Sequence, residues 1–266
     1  MERTARIAAA SASATPLPET IDGVETADLL DAMPRQRGTG TPTVPGPARP
    51  AVPRVLRAVR LWRLFPTPTG TPFTFGYAAL LALVSLLAEQ TDPSLVRALQ
   101  QASSTDVAHL VQTPALVLLA SALWIAGGLV SPYTLGFLLV LTALERRIGG
   151  ARTAVVFLLG HVLATLATEV PVGLAVLVGH LPDSSLHRLD YGISFGVAAA
   201  AGALAGLLAP WLRWPLLILF GATLADALVA FADPMTAWGH LIALCIGIAA
   251  WPLVRRWQRE PARAFS

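Results

Sequence analysis

Two side chains carry the pattern of a nucleophile and its base. Ser194 sits in Asp190-Tyr191-Gly192-Ile193-Ser194-Phe195-Gly196, which runs on into an apolar stretch rich in alanine and glycine. His240 follows Gly239 near the start of the last apolar stretch. An imidazole within hydrogen-bonding reach of a serine hydroxyl takes its proton as the oxygen attacks a carbonyl carbon. The two residues are far apart in the chain, so only the elements carrying them can bring them together. More ordinary roles stay open at this point, since serines near helix starts often bond backbone and interfacial histidines often meet water.

Composition identifies those elements. Of 266 residues, 55% are hydrophobic and 13% charged, and the mean hydropathy is +0.62. Soluble domains carry about a quarter charged residues. Several apolar runs approach the ~20 residues that a helix needs to cross a ~30 Å hydrocarbon core. The chain therefore reads as an integral membrane protein with a helical bundle. All 19 cationic side chains are arginine. That fits a GC-rich bacterium with the protein in its plasma membrane, and the pI of 9.7 carries no nucleic-acid inference, because the charges flank apolar runs where they act as topology signals. Cys245 is the single cysteine, which excludes an internal disulfide and a two-cysteine metal site.

Residues 1–52, rich in Ala, Thr, Pro and Gly, are expected to form a disordered cytoplasmic tail, because they bury too little apolar surface to offset ordering entropy. Residues 53–70 include Arg54, Arg57, Arg60 and Arg63 with apolar residues between them. On a helix this makes a basic and an apolar face suited to an anionic inner leaflet, or simply a positive-inside signal. Six spans are expected within residues 71–254: about Phe73 to Ala88, Pro132 to Leu144, Thr153 to Val178, Tyr191 to Leu208, Pro215 to Ala232, and Ala237 to Leu253. Residues 255–266 form a basic cytoplasmic tail. The apolar length from 114 to 144 exceeds one span and falls short of two. It fits an embedded external loop leading into the second span, with a helical hairpin as the alternative. Arginine placement favours both termini in the cytoplasm, with Arg146, Arg147, Arg152 and Arg213 inside and only Arg97 and Arg188 outside.

With this topology the fourth and sixth spans run the same way. Ser194 and His240 each lie about three residues inside their span, roughly 5 Å below the outer boundary at ~1.5 Å per residue. Gly192, Gly196, Gly202 and Gly247 supply small-residue spacings that let neighbouring helices approach closely. His161 and Asp226 are the buried polar candidates. An ionisable group inside a membrane is a functional hypothesis by default, here a proton path or a third catalytic member. His109, His180 and His187 are too separated for a metal site, so neither metal nor cofactor is expected.

The run Ala143-Leu144-Glu145-Arg146-Arg147-Ile148-Gly149, then Gly192-Ile193-Ser194, then Gly239-His240-Leu241-Ile242-Ala243-Leu244 with Gly247 resembles the rhomboid intramembrane serine proteases. The likeness covers about residues 71 to 254. It implies an all-α, six-helix rhomboid-like bundle, with Ser194 as nucleophile and His240 as general base in the cleavage of membrane helices. Two positions depart from that family's pattern. Phe195 stands where a glycine usually follows the serine, and Leu129-Val130-Ser131-Pro132-Tyr133 lacks the second-span His-x-x-x-Asn that helps hold the oxyanion. Loss of one such donor costs ~100- to 1000-fold in rate, so support would have to come from Ser131, Tyr133 or backbone N–H groups near Gly192. The resemblance implies membrane helices as substrates. A catalytically inactive rhomboid-like protein that binds membrane helices is the main alternative, and a small proton-coupled transporter using His161 and Asp226 is a third. The bilayer is the expected surrounding, with no nucleic acid.

Overall fold

The structure, a computed structural model, describes residues 64–231 and 233–260. The expected N-terminal tail, most of the basic segment after it and residues 261–266 lie outside the described residues. Among the described residues every regular element is helical: α1 (Pro72–Glu89), α2 (Pro93–Ala102), α3 (Val107–Gln112), α4 (Pro114–Ser121), α5 (Pro132–Ile148), α6 (Gly150–Leu177), a 3-10 turn (Asp183–His187), α7 (Ser194–Ala205), α8 (Pro210–Val229), α9 (Pro234–Ala249) and α10 (Trp251–Arg259).

The helix starts are written locally. Proline opens α1, α2, α4, α5, α8 and α9, where its missing N–H would have had no helical partner anyway. Asp92, Asp106, Ser131 and Asp233 cap α2, α3, α5 and α9 by accepting from the backbone N–H of Ser94, His109, Thr134 and Thr236.

α1, α6 and α8 are long and apolar enough to cross a membrane, and α9 with α10 passes the same test as a pair bent by 45°. The 17 residues of α5 rise about 26 Å. α7 is shorter, 12 residues, or about 18 Å. Every α7 residue from Phe195 to Ala205 is buried, so protein meets its ends. Arg213 donates to the carbonyls of Ala205 and Leu208 at 2.8 and 2.7 Å, Arg255 to Gly206 at 3.0 Å, and the Trp251 indole to Gly202 at 2.8 Å. A helix whose exposed carbonyls are satisfied this way need not match the bilayer thickness. The fold is thus an all-α polytopic membrane bundle of six principal helices, α1 and α5 to α9.

Boundaries move where caps and prolines act. The fourth helix is Ser194–Ala205, not Tyr191 to Leu208, because Gly192 holds a φ of 122° that a helix cannot use. The fifth begins at Pro210 and absorbs Pro215. The sixth begins at Pro234, behind the Asp233 cap, and ends at Ala249. Pro252 restricts Trp251 before it and removes an N–H, so the chain bends there and restarts as α10.

Residues 90–131 form an embedded loop. α4 has only 8 residues, too few to span, which removes the hairpin alternative. The loop reaches deep, since Tyr77 in the second turn of α1 donates its hydroxyl to the Ala122 carbonyl at 2.6 Å. Non-helical backbone at such depth persists only when protein surrounds it, and Ser121, Ala122 and Ile125 are buried.

Glu145, expected just beyond the second span, lies instead in the last turn of α5, which runs on to Ile148. Glu145 is 4% exposed. Its carboxylate accepts from Phe73 N at 2.9 Å, Thr74 N at 2.7 Å and the Thr74 hydroxyl at 2.6 Å. It therefore caps the start of α1 from another helix, where unpaired N–H groups and the helix dipole favour an anion.

Candidate functional site

The most extensive helix pairing joins α7 to α9. Glycines make this contact possible. A methyl on Gly247 would fall on the Ala199 carbonyl oxygen and lie 2.8 Å from Ala203 N, and one on Gly202 would fall on the Leu244 carbonyl oxygen. On the next seams, methyls on Gly160 and Gly196 would overlap Ala199 and the Phe157 ring. Two backbones thus lie in contact along the seam that carries the serine and the histidine.

Ser194 is the first residue of α7 and half-buried. It is not three residues into the helix as expected, whereas His240 comes two turns into α9. The two still reach one cavity of about 610 Å³, lined also by Pro132, Tyr133 and Gly136 of α5, Val197, four residues of α8, and Asp233, Thr236 and Ala237. α7 therefore starts level with the second turn of α9. His240 is 8% exposed, and its Nε2 has no hydrogen-bond partner among the described residues. Ser194 and His240 thus share a cavity, and no hydrogen bond joins the serine to Nε2.

The Phe195 ring lies between α7 and α9. It meets His240 edge-on at 5.2 Å between centroids and occupies the space that a methyl on Gly239 would need. The ring is buried in the seam. Ile193 provides no capping side chain, so the first N–H groups of α7, starting with Ser194's own, have no partner within the helix. Among the residues considered for oxyanion support, Tyr133 lines the cavity. Ser131 instead caps α5 and bonds the Thr134 hydroxyl at 3.1 Å.

Residues 69–260, well over half the chain, match the family model described as rhomboid-like protein. The chain belongs to the rhomboid-like family. No curated protein and no solved structure is significantly similar to it.

In this rhomboid-like chain the embedded loop holds the approach to Ser194. Gly192 N donates to the Ser121 carbonyl at 3.0 Å, and Ile193 N to the Trp124 carbonyl at 3.2 Å. Those N–H groups are therefore occupied. Ser121 is fixed in turn by His161, whose Nε2 lies 3.1 Å from both the Ser121 hydroxyl and the Leu118 carbonyl. A carbonyl only accepts, so Nε2 carries the proton. His161 thus pins α4 onto α6.

Asp226 does not meet it. Asp226 is exposed on α8, no residue of which is buried, because that helix lies at the bundle's edge. The enclosed carboxylates among the described residues are Asp106, Glu145 and Glu169, at 2%, 4% and 1% exposure. Glu169 was legible as a lone carboxylate inside the third apolar run.

Glu169 receives Arg188 Nη2 at 2.5 Å. The same guanidinium lies 3.4 Å from Asp190 and 3.8 Å from Asp233, and 3.4 Å from the Thr236 hydroxyl. It joins α6, the lead into α7 and the start of α9. Burial pushes the Asp190 carboxyl up, outweighing Arg188 and Thr105. At Asp233 partial burial is outweighed by hydrogen bonds from Thr236 and by Arg188, so its carboxyl lies below the ordinary range.

Proposed function

We propose that this rhomboid-like protein is an intramembrane serine endopeptidase in which Ser194 is the nucleophile and His240 the general base. The observation that carries the reading is that Ser194 and the unpartnered, buried Nε2 of His240 belong to the walls of one cavity. A rotation of the serine side chain, with a small shift of α7 against α9, closes the dyad on substrate binding. Catalytic hydrogen bonds commonly tighten at that stage.

In the chemical step His240 Nε2 takes the Ser194 proton as Oγ bonds to the scissile carbonyl carbon. The carbonyl electrons move to its oxygen. The N–H groups that open α7 are the donors for this oxyanion, aided by the helix dipole and by the Tyr133 hydroxyl. The C–N bond then breaks, the imidazolium returns its proton to the leaving amine, and water releases the acyl group by the same route. The substrates are single membrane helices, and the site faces the outside of a plasma membrane with both chain ends in the cytoplasm.

A second reading is favoured by one observation: no hydrogen bond joins Ser194 to His240, whose ring packs edge-on against Phe195. It is a non-catalytic rhomboid-like protein that holds membrane helices in the same cavity. Labelling of the detergent-purified chain with a fluorophosphonate separates the two. The protease reading expects labelling that is lost in Ser194→Ala and strongly reduced in His240→Ala. Absence of labelling and of cleavage of a helix-destabilised substrate leaves the holding role.

A further inference from the structure

The charge around the cavity's mouth is unbalanced. Among the described residues Arg188 is the one cation in its cluster, and it faces Glu169, Asp190 and Asp233. The nearby Asp106 is occupied by its own histidine, His109, at 2.8 Å. Arg188 lies closest to Glu169 and farthest from Asp233, at 2.5 against 3.8 Å. The side chains of Glu169, Asp190 and Asp233 are 1%, 12% and 58% exposed. The surplus negative charge therefore sits on the carboxylate most open to a ligand. Of the residues lining the cavity, Asp233 is the single carboxylate, and no arginine lines it among the described residues.

A second feature marks the same wall. Asp233, Thr236, Ala237 and His240 form one stripe along α9, and all four line the cavity. At its inner end the buried His240 Nε2 has no partner among the described residues. The stripe thus presents an anion at the mouth and an unused ring nitrogen seven residues further in, about 10 Å along a helix.

We propose that the cavity selects membrane helices carrying a basic residue on the side of the Asp233 rim. This rests on the reading that a membrane helix enters the cavity, and it defines which helices do. An unwound chain advances ~3.3 Å per residue. The basic residue therefore lies about three residues from the peptide group that reaches His240. Its charge completes the balance that Arg188 leaves open.

Binding tests this without requiring cleavage. The full chain carrying Ser194→Ala is reconstituted in phosphatidylcholine vesicles. It is titrated, by fluorescence transfer, with synthetic Leu/Ala single-span peptides that have a central Gly-Ala break and Arg, Gln or Glu three residues from it. The expected result is that the Arg peptide binds roughly fivefold more tightly than the Gln peptide, the range of a partly exposed ion pair. The Glu peptide binds most weakly, and the Arg advantage shrinks at high salt. Asp233→Asn removes the advantage. Asparagine caps helices as aspartate does, so this variant keeps the start of α9. Asp226→Asn, on the exposed edge of α8, preserves the advantage. Equal affinity for the Arg and Gln peptides, or a preference that survives Asp233→Asn, overturns the proposal. Failure of Ser194 to label with a fluorophosphonate counts against the catalytic step alone, because the preference is read in a chain that cannot cleave.

Discussion

α7 and α8 are neighbours in sequence and opposites in packing. α7 is 12 residues long and buried from its second residue to its last, whereas α8 has 20 residues and not one is buried. Both are apolar, so hydrophobicity does not distinguish them. Residue size does. α7 is mostly alanine and glycine and lets α6 and α9 come to backbone contact, while α8 turns its large Trp211, Trp214 and Leu219 outward, away from the bundle. In a bilayer, where lipid is as apolar as leucine, close approach of small residues drives helix association. The serine is thus mounted on the most tightly held helix, and the cavity beside it is partly walled by the least held one.

Substitutions at glycine put that contrast under the largest strain. Gly247→Ala forces a methyl onto backbone and is expected to cost about 1–3 kcal/mol or more, seen as a lower unfolding midpoint in detergent. Gly221→Ala on α8, where nothing lies within 4 Å, is expected to be neutral or to stabilise by roughly 0.5–1 kcal/mol. Equal losses at the two sites would contradict the packing difference. A step smaller, Glu145→Gln keeps the shape and removes the charge from the α1 cap. It is expected to cost about 1–2 kcal/mol in the same measurement, with Glu145→Ala costing more.

Ser121→Ala removes a hydroxyl from the His161 contact and is expected to cost about 1 kcal/mol. Because the loop holds Gly192 and Ile193, it should also speed hydrogen exchange at those two amides while leaving α8 unchanged. The smallest effect concerns Asp233. Its native carboxyl ionises below the unfolded value of about 3.9. The stability it contributes is therefore present above that value and lost as pH falls through the native one. The midpoint difference between the chain and Asp233→Asn should be flat from pH 8 to 5 and close below about pH 4.

Much of the site was legible because topology alone orders it. Parallel directions for the fourth and sixth apolar runs bring Ser194 and His240 toward one end of the bundle, and glycine spacing points to the seam between them. Depth counted from span edges failed, since Gly192 and the Asp233 cap set the true starts of α7 and α9. Asp226 misled for another reason: depth along a span says nothing about which way a residue faces, and α8 turns it outward. Glu145 was hidden by distance, because its capping partners lie 71 and 72 residues away, beyond any local pattern. Arg188 stood out as a lone arginine between two apolar runs, but its three carboxylates come from separate elements.

The Glu145 cap has a mechanical side. It grips α1 at one end, and the only buried residues of that helix, Thr74 and Leu81, lie in its first ten. α1 is held along its first half, by Glu145 at its start and by Tyr77 and Leu81 seated in the bundle, and its last two turns bury no residue. Its 18 residues span about 27 Å, so a tilt of about 10° carries the loose end about 5 Å. Bilayers of different thickness can be met by such a tilt.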